Sequence, residues 1–157
     1  MTKTAFIGLG VMGYPMAGHK AAKGHDVTVF NRTTAKAEQW VGEHGGGFAA
    51  TPREAVEGVD VVCACVGNDD DLRSVCLGGD GAFAGMGAGA VFVDHTTVSA
   101  RVTRELYAAA KAAGFRAVGV LTGPARAAEL APFAEVVFPD IGHLEDWLAR
   151  QRPPSPL

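Results

Sequence analysis

Thr4-Ala5-Phe6-Ile7-Gly8-Leu9-Gly10-Val11-Met12-Gly13, answered by Val27-Thr28-Val29-Phe30-Asn31-Arg32-Thr33, is the stretch that decides the fold. An apolar run enters a glycine turn, a helical stretch from about Val11 to Lys23 stops at Gly24, and a second apolar run follows. The order is strand, turn, helix, strand. The glycines read G-x-G-x-x-G, a weak signal alone. Here it closes a strand, opens a helix and sits in a unit of about 30 residues, which is the context a dinucleotide-binding turn requires. Gly8 permits the tight turn, Gly10 leaves the backbone open to a pyrophosphate, and Gly13 lets the helix pack closely on the sheet. Leu9, Val11 and Met12 complete the turn. The helix start adds N–H groups and a partial positive charge for the phosphates.

The end of the second strand bears on which dinucleotide binds. NAD sites usually carry Asp or Glu there, about 20 residues past the glycines, for the ribose 2′-hydroxyl. This chain has Asn31 and Arg32, with no carboxylate in that segment to repel a 2′-phosphate. A guanidinium pairs with phosphate through two parallel hydrogen bonds, and Thr33 adds a hydroxyl. The expectation is NADP in preference to NAD. Arg32 can also be a solvated strand-end residue or stack on adenine, with Thr33 or Thr34 capping the next helix.

A chain of 157 residues fits one domain. A hydrophobic share of 48% suffices for a full core, and 21 glycines with 20% charged residues suit a loop-rich α/β protein. The net charge of −3 offers no electrostatic case for nucleic acid or an anionic membrane. No apolar stretch approaches the roughly 18 residues of a membrane span. The chain enters a strand almost at once, so no signal peptide is expected and the setting reads as cytoplasmic. Cys63, Cys65 and Cys76 read as small core residues in a reducing compartment, Cys63 and Cys65 on one face of a strand. They lack the further ligands a metal site needs.

Strands are expected at 4–9, 26–30, 59–66, 90–94, 115–121 and 134–138, with a short extra one near residue 48. The near-continuous apolar runs from Val59, Ala90 and Val118 suit a parallel sheet buried on both faces. Helices are expected over 34–44, from Thr51, over 70–77 and over 99–113, the second opening on a full capping box of Thr51, Pro52 and Glu54. The alternation implies a doubly wound, mainly parallel Rossmann-type sheet with helices on both faces. Residues 117–151 are expected to add a strand and two helices, near 124–133 and 144–151, to that sheet. One domain would then run from 1 to 151, with 152–157 a frayed tail.

These motifs resemble the β-hydroxyacid dehydrogenase family, which includes 3-hydroxyisobutyrate dehydrogenases and 6-phosphogluconate dehydrogenases. The matching segments are Gly8 to Gly13 with Pro15-Met16-Ala17, Gly24-His25-Asp26-Val27, Asn31-Arg32-Thr33, Val66-Gly67-Asn68-Asp69 and Asp94-His95-Thr96-Thr97-Val98-Ser99. They cover about residues 3–116. Imine reductases share the first segments. The resemblance implies that the glycine turn holds the pyrophosphate and that Asn31, Arg32 and Thr33 hold the adenosine ribose. It places Val66, Gly67 and Asp71 against the cofactor, and Thr96 and Thr97 where nicotinamide and substrate carboxylate meet. Strand-end hydroxyls suit a ligand crevice, and they equally suit helix capping before Ser99. His95 is an acid–base candidate by residue type, at a position where the family requires none.

After Phe115 the family's Asp-Ala-Pro-Val-Ser-Gly-Gly segment is replaced by Ala117 to Gly123, and no Lys follows Lys111, where the family supplies its catalytic lysine. No catalytic residue is therefore assigned. Truncation, frameshift and fusion all fit the change. Phe138-Pro139-Asp140-Ile141-Gly142-His143 resembles a strand-to-histidine corner of α/β-hydrolases, without the G-x-S-x-G turn such an enzyme needs. Two functions follow. One is an oxidoreductase domain serving hydride transfer between NADP, or NAD, and a small β-hydroxy acid or semialdehyde. The other is a dinucleotide-binding module without turnover. The expected partners are the dinucleotide and the hydroxy acid, with no nucleic acid and no membrane, and a homo-oligomer is compatible with both readings.

Overall fold

In a computed structural model, residues 1–115, 118–120, 126–140, 142, 143, 146, 147 and 150 are described. The first elements are β1 (Lys3–Ile7), α1 (Gly13–Ala22), β2 (Asp26–Phe30), α2 (Thr34–His44) and β3 (Gly47–Phe48). There follow α3 (Pro52–Ala55), β4 (Val61–Ala64), α4 (Asp69–Cys76), α5 (Ala82–Gly85), β5 (Val91–Asp94) and α6 (Ala100–Ala112). Five strands form one parallel sheet in the order β3-β2-β1-β4-β5. The chain winds outward from β1 in one direction, then returns and winds outward in the other. A crevice opens beyond the strands' carboxyl ends at such a switch point.

β1 lies at the centre, and its alternation feeds two cores. Ala5 and Ile7 join Val62, Ala64, Leu72, Val102 and Leu106 on one face. Phe6 joins Val27, Val29, Ala37, Trp40 and Cys63 on the other. Strands covered on both faces read as apolar runs, which is why the sequence pattern exposes them. Val102 and Leu106 are four residues apart on α6, and Ala37 and Trp40 three apart on α2, so each helix turns one stripe inward. Trp40 is fully buried, and its indole N–H donates to the Tyr14 carbonyl at 3.2 Å. Truncating such a side chain to Ala costs about 3–5 kcal/mol.

Three local details differ from expectation. The box at α3 is offset: Thr51 Oγ1 accepts the Glu54 N–H at 3.2 Å, but the Glu54 carboxylate accepts from Ala50 rather than from Thr51. Neither Thr96 nor Thr97 caps α6; Ser99 does, accepting the Val102 N–H. No periodicity in the sequence marks α5.

Two compact units divide the chain at Phe115. In the second, β6 (Val118–Val120), α7 (Ala127–Leu130), a 3-10 turn (Ala131–Phe133) and β7 (Val136–Phe138) follow in order. β6 and β7 pair with each other, parallel, in a separate two-stranded sheet. The expectation that this region extends the main sheet is therefore corrected. The helical segment between the two strands is itself the crossover a parallel pair requires. The proposed helix over 144–151 falls largely outside the described residues, and the 152–157 tail falls wholly outside them.

Candidate functional site

At the switch point a cleft of about 500 Å³ opens between the loops that follow β1, β2 and β4 and the start of α4. The glycine turn forms one wall. Gly8 has φ +94° and donates its N–H to the Phe30 carbonyl at 2.8 Å. A Cβ at Gly8 would strike the Cys65 carbonyl, and a Cβ at Gly13 would strike the Gly8 carbonyl oxygen. The protein's own packing thus demands both glycines. Gly10 differs, because a Cβ there meets nothing within 4 Å. The space in front of it is the open cleft. Among the described residues, the N–H groups of Gly10, Val11 and Met12 donate to no other group of the chain. Val11 is 92% exposed and Met12 63%, although both are apolar and both line the cleft. Leu9 is different again: its side chain is fully buried in the core.

The end of β2 supplies the second wall. Asn31 Oδ1 accepts the Leu9 N–H at 3.0 Å, and its Nδ2 donates to the Thr33 carbonyl at 3.0 Å. Both ends of the amide tie loops together. Thr33 is the N-cap residue of α2, and its hydroxyl caps no N–H. Arg32 Nη1 lies 3.0 Å from Asp71 Oδ1 across the cleft. A carboxylate therefore stands beside Arg32 after all. It comes from α4 rather than from the β2 segment, so no inspection of that segment alone reveals it. Asp71 is itself anchored, because Asn68 Nδ2 donates to its Oδ2 at 3.1 Å. Asn68 also caps α4 by accepting the N–H groups of Asp70 and Asp71.

Residues 3–134 match the NAD binding domain of 6-phosphogluconate dehydrogenase. The chain belongs to that family. An uncharacterized oxidoreductase of Shewanella frigidimarina is 64% identical over 108 residues, which cover 69% of this chain and 37% of that protein. The solved structure of a Mycobacterium tuberculosis 3-hydroxyisobutyrate dehydrogenase with L-serine aligns with a TM-score of 0.66 and 31% identity, covering 73% of this chain and 38% of the other. A reductive aminase from Aspergillus terreus, in complex with NADPH4, cyclohexanone and allyl amine, aligns at 0.61 and 31%, covering 73% and 39%. The chain therefore spans less than two-fifths of the length of these relatives.

In this NAD-binding domain the ends of β4 and β5 form the remaining site region. Val66 and Gly67 line the cleft, as does the half-buried Cys65. Burial, with the Asp94 charge adding, pushes the Cys65 thiol up, and burial does the same for Cys63 and Cys76. All three stay protonated near neutrality and are poor nucleophiles. Thr96 Oγ1 accepts the Val66 N–H at 3.1 Å and so fixes the β4 loop. Neither Thr96 nor the exposed Thr97 lines the cleft. The exposed His95 extends the β4–β5 ladder through its backbone N–H, which donates to Ala64. The sequence pattern did not single out Phe30, Pro52, Cys65, Ser74 or Val75 as cleft residues. Pro52, Ser74 and Val75 arrive from helices α3 and α4; Ser74 and Val75 carry no motif, and the motif that holds Pro52 signals a helix start rather than a ligand.

In the second unit, His143 Nδ1 lies 3.2 Å from Asp140 Oδ1. No serine lies between Ser99 and Ser155 in the sequence, and no G-x-S-x-G turn occurs in it. Among the described residues no three metal-ligating side chains cluster, and no helix is long and apolar enough to cross a membrane.

Proposed function

We propose that the cleft binds NADP in preference to NAD, and that the chain is the cofactor part of an oxidoreductase acting on a small β-hydroxy acid or its semialdehyde. The observation that carries this reading is the contrast among the three glycines. Gly8 and Gly13 are required by the chain's own packing, whereas Gly10 faces an open cleft beside three uncommitted N–H groups. A run of backbone N–H groups at a helix start is suited to an anion. Gly10, Val11 and Met12 would hold the pyrophosphate there. Arg32 and Thr33 would hold the adenosine end, Arg32 through a charge-assisted bond to the 2′-phosphate. Val66 and Gly67 would pass over the cofactor, their loop fixed by Thr96 rather than by a ligand. Thr97 would lie toward the nicotinamide end of the cofactor, and Thr96 toward the substrate carboxylate. When bound, the dinucleotide would accept a hydride from the hydroxy acid or, in its reduced form, donate one to the semialdehyde. The three free cysteines are compatible with a reducing cytoplasm.

A second reading is a dinucleotide-binding module without turnover. It applies to the 157-residue chain by itself, in which residues 112–157 contain no Lys. A positioned acid–base group contributes typically about 10²–10⁴-fold to such chemistry, so weak turnover is expected of the 157-residue chain alone. The test is titration of the purified chain with NADPH and NADH, followed by turnover over small hydroxy acids and a cyclic imine. Tighter binding of NADPH supports the cofactor assignment, and no binding of either removes it. Robust turnover of a hydroxy acid removes the module reading and makes His95 the first residue to test as proton donor.

A further inference from the structure

The geometry points to the Arg32–Asp71 ion pair as a selectivity latch, in which the Asp71 carboxylate competes with a 2′-phosphate for the Arg32 guanidinium. This inference rests on reading the cleft as a dinucleotide site. The two partners are held very differently. Arg32 has 86% of its side chain exposed, whereas Asp71 has 27%. Asp71 sits in the first turn of α4, where the helix start favours negative charge. Its second carboxylate oxygen is bonded to Asn68, and even a Cβ on Gly67 would come within 2.9 Å of that oxygen. When the pair opens, Arg32 is the member that moves.

The consequence differs for the two cofactors. NAD presents a hydroxyl at the 2′ position and no anion to draw Arg32 away, so the pair stays closed. NADP presents a phosphate that engages Arg32 only by exchanging one anion for another. The phosphate wins because it carries more charge and three acceptor oxygens. Asp71 therefore subtracts from the NADP preference that Arg32 alone would confer. An exposed ion pair is worth up to about 1 kcal/mol, or about five-fold in affinity.

The experiment measures NADPH and NADH affinities by titration of the full chain, for the parent, Asp71→Asn, Arg32→Ala and the double variant. In Asp71→Asn the ratio of NADPH to NADH affinity rises about five-fold. In the Arg32→Ala background the same substitution moves the ratio by less than about two-fold, because no guanidinium remains to be released. Asp71→Ser, which keeps a hydrogen-bond acceptor in the first turn of α4, serves if the Asn variant fails to fold. If both dinucleotides bind and the ratio does not respond, the latch is overturned while the nucleotide site stands. If the ratio rises equally without Arg32, Asp71 acts as a bare charge and the latch is again overturned. If no folded variant and not the parent binds either dinucleotide, both the latch and the nucleotide site fall.

Discussion

The side-chain oxygen of Asn31 accepts the backbone N–H of Leu9 at 3.0 Å, joining the turn after β1 to the end of β2. Beside it the Gly8 N–H donates to Phe30, so two consecutive amides of the glycine turn are held by the neighbouring strand end. The N–H of Gly10, which among the described residues donates to no backbone carbonyl, comes immediately afterwards. Asn31 thereby shapes the turn. Asn31→Ala leaves the part-buried Leu9 N–H without its partner, and such orphaning costs about 1–3 kcal/mol. A lowered denaturant midpoint with an unchanged slope is the expected result. An unchanged midpoint would mean that solvent replaces the side chain without loss.

Gly10 and Gly13 are expected to separate binding from stability. Gly10→Val projects its side chain into the open cleft and leaves the fold intact, so the unfolding midpoint holds while NADPH binding is lost. Gly13→Ala drives a Cβ onto the Gly8 carbonyl and destabilises the chain by about 1–3 kcal/mol, as other overpacked sites do. Titration and chemical denaturation of both variants check this. Undiminished NADPH binding by folded Gly10→Val would place the nucleotide elsewhere.

Arg32→Ala is expected to erase most of the preference for NADPH over NADH. A hydrogen bond to a charged group contributes about 1.5–3 kcal/mol, about ten-fold or more in affinity. The loss should fall on NADPH, because NADH presents no phosphate to the guanidinium. Equal affinities of the parent for the two cofactors would contradict the assignment.

Acid stability provides a test outside the cleft. Asp69 accepts the backbone N–H and the hydroxyl of Ser99, the residue that caps α6. These bonds from Ser99, with weaker help from the charges of Arg73 and Arg101, hold the Asp69 carboxyl below its ordinary value of 3.8. A carboxylate lowered in the folded state contributes stability that is complete above the unfolded value. That stability is lost as pH falls through the folded value. The contribution is therefore present at neutral pH and disappears below about pH 4. Asp69→Asn is expected to be less stable than the parent at pH 7, with the gap closing on acidification. Denaturation curves from pH 7 to 3 measure it, and a gap independent of pH would rule the linkage out.

Local chemistry made much of this protein readable from its residues. The apolar runs around Phe6, Val29 and Val62 are parallel strands because both faces of the sheet are covered, and Gly8 to Gly13 is a strand-to-helix turn because its spacing permits little else. Such features depend on neighbours in sequence. What only the tertiary structure decided joins residues far apart. Asn31 meets Leu9 across 22 positions, Thr96 meets Val66 across 30, and Arg32 meets Asp71 across 39. Each of these contacts gives an intramolecular partner to a side chain that its own segment offered to a ligand. The pairing of β6 with β7, apart from the main sheet, is of the same kind: apolar alternation marks a strand but not its partner. Backbone propensity acts within a turn or two of chain, whereas hydrogen-bond partners and strand neighbours are chosen by the packing that brings distant segments together.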